Sequence, residues 1–174
     1  GLDGDVIEKV LEGRSGVSVA NYNCPGQIVI TGEKAAVEEA GAALKEAGAR
    51  RVLPLKVSGP FHSPMMKPAG EELAKVFASV SMNPLKIPYV ANINAEVVTD
   101  CSQIENLLVQ QVSGSVRWQQ SVETMIREGV DIFVEIGPGK TLTGFLRKIN
   151  KNVKSYHIGT WEEALAVCEE LKTE

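Results

Sequence analysis

Two of the 174 residues are histidines, and His62 sits in Ser58-Gly59-Pro60-Phe61-His62-Ser63-Pro64-Met65-Met66. The glycine and prolines around it mark a loop between a strand and a helix. Imidazole as a residue type titrates at about pH 6.5, so a loop histidine suits general acid–base chemistry. The competing reading is a capping or surface histidine. His157 lies near a C-terminal strand without supporting signals and reads as structural.

A base of this kind needs a nucleophile. The elbow G-x-S-x-G presents a serine on a strained strand-to-helix turn. The nearest stretches, Gly13-Arg14-Ser15-Gly16 and Ser113-Gly114-Ser115, do not fit it. Cys24 precedes Pro25 in a loop, with no basic neighbour or helix N-terminus to activate the thiol. The chain therefore carries a candidate base and no matching nucleophile.

Gly137-Pro138-Gly139-Lys140-Thr141 ends like a phosphate-binding loop. The first glycine of G-x-x-x-x-G-K-[ST] falls at Val134, however, and Pro138 lacks an N–H that such a loop uses. A dinucleotide fingerprint fails too, because its third glycine falls at Leu142. The segment reads as a tight strand-to-helix turn beside a cleft.

Positioning these residues is the task of an α/β chain. Asp3 opens a short helix to Leu11 with Val6, Ile7, Val10 and Leu11 on one stripe. Val17–Ala20 and Gln27–Ile30 read as strands flanking a loop from Asn21 to Gly26, and an Ala-rich helix follows from about Thr31 to Gly48. Arg51–Val57 reads as a third strand, with Pro54 suggesting an edge position or a bulge. This α-β-β-α-β order is a ferredoxin-like pattern with its first strand missing. Beyond it, helices are expected from Pro64 to about Val80, over 103–112, 118–128, Lys140 to about Ile149, and 161–172. Strands are expected at Ile87–Ile93, Asp131–Ile136 and 154–158. That alternation predicts a parallel α/β layer, though with few strands.

Composition narrows the classes. The 18 Lys+Arg against 22 Asp+Glu leave a net charge of −4, which argues against a nucleic-acid binder held by phosphate contacts. No apolar run reaches the roughly 20 residues of a membrane span. Cys24, Cys101 and Cys168 lie far apart with no C-x-x-C pair, so neither a zinc site nor a disulfide framework is expected, and a reducing cytoplasm fits. The chain begins Gly1-Leu2-Asp3 without Met, and we read its natural start as lying elsewhere.

Three stretches together are specific: Asn21-Tyr22-Asn23-Cys24-Pro25-Gly26-Gln27-Ile28-Val29-Ile30-Thr31-Gly32, Val57-Ser58-Gly59-Pro60-Phe61-His62-Ser63, and Glu135-Ile136-Gly137-Pro138-Gly139-Lys140. In this order they resemble malonyl-CoA:acyl carrier protein transacylases of type II fatty-acid synthesis, over essentially the whole chain. The resemblance implies an α/β-hydrolase-like large subdomain with a ferredoxin-like small subdomain inserted. Residues 1–57 would be the incomplete small subdomain, and 58–174 the C-terminal part of the large one.

The resemblance also implies ping-pong transfer. A serine in a G-H-S-x-G elbow takes malonyl from malonyl-CoA and passes it to the phosphopantetheine thiol of acyl carrier protein. His62 matches the catalytic histidine, and Gln111 the residue whose backbone carbonyl orients it. Asn23 would line the cleft near the pantetheine arm, and Phe61 and Ser63 flank the base as substrate-binding positions. A bulky Phe before the histidine accompanies malonyl over methylmalonyl preference, a discrimination of about 1–3 kcal/mol per methyl. No metal and no permanently bound cofactor is implied. The serine, the carboxylate-binding arginine and the oxyanion-hole glutamine motif precede Gly1 in the family, and Arg50, Arg51, Arg117 and Arg147 match other positions. The isolated chain is therefore expected to be inactive and marginally stable without its N-terminal part.

Two other readings compete. A non-catalytic module could bind CoA or acyl carrier protein through Lys45, Arg50, Arg51, Lys56 and Lys67. A hydrolase-like fragment with another acyl substrate is the third.

Overall fold

The structure is a computed structural model and describes residues 1–172, so residues 173 and 174 of the expected second subdomain lie outside it. Apolar spacing builds its first layer. Helix α1 (Gly4–Leu11) buries Ile7 and Leu11, one turn apart. Helix α2 (Lys34–Glu46) buries Ala40, Gly41 and Leu44. Both cover the antiparallel hairpin of β1 (Val17–Cys24) and β2 (Gln27–Gly32), whose Val19 and Tyr22 complete the core cluster. Asp3 caps α1 through its carbonyl, which accepts the Ile7 amide at 3.2 Å, while its side chain makes no capping bond.

The expected loop from Asn21 to Gly26 shrinks to Pro25-Gly26. Strand β1 runs on to Cys24, paired with Gln27. The two asparagines look like turn residues, but Ala20, Tyr22 and Cys24 are buried at every second position, and that period sets a strand. Gly32 ends the hairpin with φ 146°, where an added Cβ would lie 1.9 Å from the Gly16 carbonyl oxygen.

Arg51–Val57 forms no strand. Leu53, Leu55 and Val57 are 68%, 61% and 65% exposed, and no strand among the described residues pairs with them. An extended segment becomes a strand only when a neighbour takes its N–H and C=O groups.

The helix expected from Pro64 begins instead as a 3-10 turn, Pro64–Met66, before α3 (Lys67–Phe77). Pro68 cannot donate the bond that would close an α turn on Pro64, and the Lys67 amide closes the tighter one. Buried Gly70 lets α3 approach α4 (Ile104–Ser113), since a Cβ there would sit 3.1 Å from the Val109 carbonyl oxygen. The expected strand Ile87–Ile93 pairs only at β3 (Tyr89–Val90), against β4 (Val97–Val98). Pro88 has no donor on one side, and on the other Ala95 closes a turn onto the Ala91 carbonyl at 2.9 Å.

Helix α5 (Trp118–Arg127) leads to β5 (Ile132–Ile136), and α6 (Thr141–Ile149) connects β5 in parallel to β6 (Lys154–Ile158). The alternation of strands and helices predicts this parallel pair, and α7 (Trp161–Lys172) follows it as expected. Among the described residues, no helix is long and apolar enough to cross a membrane.

Candidate active site

His62 occupies the left-handed region at φ 59°, which is uncommon for a residue other than glycine. The turn that imposes this conformation is tied by Ser63. Its hydroxyl donates to the Pro60 carbonyl at 2.6 Å and accepts the Met65 amide at 3.3 Å, and the residue is 1% exposed. Phe61, on the other side, is 48% exposed.

The imidazole turns toward the end of α4. His62 Nδ1 lies 3.1 Å from the Gln111 carbonyl oxygen and 3.2 Å from that of Gly114. A helix leaves its last four carbonyls without intrahelical partners, and Gln111 supplies one of these. Carbonyl oxygens only accept, so Nδ1 carries the proton and Nε2 keeps its lone pair. The arrangement makes Nε2 a proton acceptor. It also joins two distant stretches: the close α3–α4 contact at Gly70 brings the Phe61–Ser63 loop beside the end of α4.

Asn23 lies on β1, two residues beyond Asn21, which bridges in parallel to Val116 just after α4. No hydrogen bond joins Asn23 to His62 among the described residues. Cys24 is fully buried, and burial pushes its thiol up in spite of Lys148 and the chain's N-terminal amine. A thiol held neutral in this way is a poor nucleophile. Cys24, Cys101 and Cys168 are all free. No group of three or more His, Cys, Asp or Glu among the described residues could hold a metal ion.

The Gly137-Pro138-Gly139-Lys140 turn has a different occupant from a phosphate. The Glu135 carboxylate accepts the Leu142 amide at 3.0 Å, the Thr143 amide at 2.7 Å and the Thr143 hydroxyl at 2.6 Å. A helix N-terminus favours one anion, and here β5 supplies it from within the chain. His157 Nε2 lies 2.9 Å from the Gly137 carbonyl oxygen and holds the other side of the turn.

Burial pushes the Glu135 carboxyl up, but the Thr143 hydroxyl and amide, the Leu142 amide and nearby His157 outweigh it, so it titrates below its ordinary value. A lowered folded value stabilises the fold above the unfolded value of 4.5, and that contribution is lost as pH falls through the folded value. Glu135→Gln is expected to cost about 1 kcal/mol at pH 7, as for other lost helix caps. Urea melts at pH 7 and pH 3 check this: the difference between the two proteins shrinks at the lower pH.

The loop sequence points to His62 and the resemblance to the transacylases points to Gln111, and the structure brings these two together; neither points to the Gly114 carbonyl or to the Glu135 cap. A glycine just past a helix and an acidic residue near the end of the strand that turns into α6 are the available signals.

Residues 2–167 match the acyl transferase domain family, and the chain belongs to that family. Its relatives are more particular. It is 42% identical over 169 residues to the malonyl CoA-acyl carrier protein transacylase of Bacillus subtilis, covering 97% of this chain and 53% of that protein. The solved acyl-carrier-protein-S-malonyltransferase of Bartonella henselae is similar at a TM-score of 0.93 and 40% identity, covering 99% of this chain and 56% of that one. A malonyl-transacylase solved in complex with its type II PKS acyl-carrier protein matches at a TM-score of 0.90 and 38% identity, over 98% of this chain and 56% of that one. The chain spans about half the length of the curated relatives it matches.

Proposed function

We propose that this chain supplies the general base and part of the cleft of a malonyl-CoA:acyl carrier protein S-malonyltransferase. The observation that carries the reading is His62 Nδ1 held by backbone carbonyls, which leaves Nε2 as acceptor. A serine outside these 174 residues gives its proton to Nε2 and attacks the thioester carbonyl of malonyl-CoA. The tetrahedral intermediate collapses to a malonyl-serine ester, and the CoA thiolate leaves with the proton from the imidazolium. In the second half the phosphopantetheine thiol of acyl carrier protein gives its proton to Nε2 and attacks the ester, and serine departs reprotonated.

The neutral carbonyls of Gln111 and Gly114 take the place that a carboxylate holds in other triads, fixing tautomer and ring direction. Phe61, Ser63 and Asn23 complete the assignment. Phe61 restricts the space beside the acyl carbon, Ser63 holds the loop that bears it, and Asn23 faces the pantetheine arm. Residues 1–57 act as the ferredoxin-like small subdomain without its first strand, and 58–174 as the C-terminal part of the α/β-hydrolase-like large subdomain. The reaction uses no bound cofactor and belongs in the cytoplasm.

The test unites this chain with a serine-elbow segment and supplies malonyl-CoA and holo-acyl carrier protein. Malonyl transfer that depends on His62 supports the reading. The 174-residue chain alone is expected to gain no malonyl mass on incubation with malonyl-CoA, and an adduct on it would overturn the division of labour. Carrier-protein binding without any transfer, unchanged in His62→Ala, would favour the non-catalytic module instead.

A further inference from the structure

We infer that Ser115 is a positioning residue for the base, acting through the Gly114 carbonyl; the inference rests on the reading of His62 as base. The two carbonyls that face Nδ1 differ in how they are held. That of Gln111 is fixed by α4 itself. That of Gly114 lies past the helix, where the backbone has turned extended at φ −107° and ψ 162°, so helix geometry does not direct it.

What directs it is β1. The Ser115 hydroxyl donates to the Val19 carbonyl at 2.6 Å, the Val116 amide to the Ala20 carbonyl at 2.7 Å, and the Tyr22 amide to the Val116 carbonyl at 2.9 Å. The Arg117 amide closes the segment onto the Asn92 carbonyl at 2.8 Å. Ser115 is the residue directly after Gly114, and its bond to β1 spans 96 positions of sequence. It is the one side chain in this set, the rest being backbone. The β1 ladder shifts register between Val19 and Asn21, at the place where this segment joins it.

One N–H shared between two acceptors fixes the imidazole plane between them. With the Gly114 carbonyl displaced, Gln111 alone remains, and the ring can swivel about its bond to Cβ. The hairpin that carries Asn23 thus sets the aim of Nε2. Displacements of about 1 Å at a reacting group cost up to about 100-fold in rate, and loss of one of two acceptors is a smaller disturbance.

The experiment compares Ser115→Thr with Ser115→Val, which have nearly the same shape and differ in the hydroxyl. Both are made in the acyl-transferring protein that carries this chain, beside His62→Ala. The Thr variant is expected to keep kcat, whereas Val lowers it about tenfold with KM within twofold. Imidazole nitrogen NMR is expected to report His62 protonated on Nδ1 in the Thr variant and as a mixture of tautomers in the Val variant. Equal kcat and equal spectra for the two variants overturn the inference, and so does unfolding of Val alone, which would make the hydroxyl a matter of stability. If His62→Ala keeps full activity, the base reading itself fails, a separate outcome from the equality of Thr and Val.

Discussion

On the proposed reading, His62→Ala is expected to lower kcat for malonyl transfer about 1,000-fold, with KM changed no more than a few-fold, in a protein that unites this chain with a serine nucleophile. A general base acts only on protons in flight, so losing it would remove stabilisation that exists in the transition state and not in the bound substrate. Neither of the two other candidate groups named above is free to replace it. The other histidine, His157, is committed to the Gly137 carbonyl, and the Cys24 thiol is buried and held neutral. Because His62 sits at φ 59°, replacing it also touches the backbone. His62→Asn separates the two effects, since asparagine tolerates the left-handed region. Steady-state kinetics and a thermal melt on both variants check the prediction: both lose kcat alike, while the Asn variant keeps its melting temperature.

The largest loss of stability is expected at Gly32. An added Cβ would lie 1.9 Å from the Gly16 carbonyl oxygen and 2.9 Å from both the Gly16 carbonyl carbon and the Val17 Cα, all backbone atoms that cannot rotate away. The same Gly16 carbonyl accepts the Glu33 amide at 2.8 Å, immediately before α2. Gly32→Ala therefore has to part the two strands of the hairpin at its open end, where Gly32 pairs with Val17, and to disturb the Glu33–Gly16 bond before α2, at an expected cost of about 3 kcal/mol or more from overlap and strain together. Denaturant titration of the two proteins measures it. The site responds as well, because β1 carries the Val19 and Ala20 carbonyls on which the Gly114–Val116 segment rests.

Much of this architecture is visible from residue order. Strand Lys154–Ile158 and helix Trp161–Lys172 fall where alternation and amphipathic spacing put them. Helix α1 ends at Leu11 as its apolar stripe does. Structure and residue pattern part where a residue's usual habit conflicts with its tertiary setting. Asn21 and Asn23 favour turns, yet Tyr22 and Cys24 between and beside them need burial, and burial won. Leu53, Leu55 and Val57 alternate like a strand, but a strand is a relation between two segments, and pattern reports on only one. The site divides in the same way. His62 stands out as one of two histidines, set in a loop flanked by glycine and prolines, and Gln111 enters through the resemblance to the transacylases. The Gly114 carbonyl and the Glu135 cap are backbone geometry and a contact across a turn, which side-chain identity alone does not announce.

The proposed role of His62 requires a bare Nε2, with backbone carbonyls holding the proton on Nδ1. Nitrogen-15 NMR of the imidazole, taken above the pH at which the ring charges, reads this directly. The expected spectrum has the directly bonded proton on Nδ1 and a pyridine-like Nε2. A proton on Nε2 instead would contradict the account, since that nitrogen could no longer take one from a nucleophile.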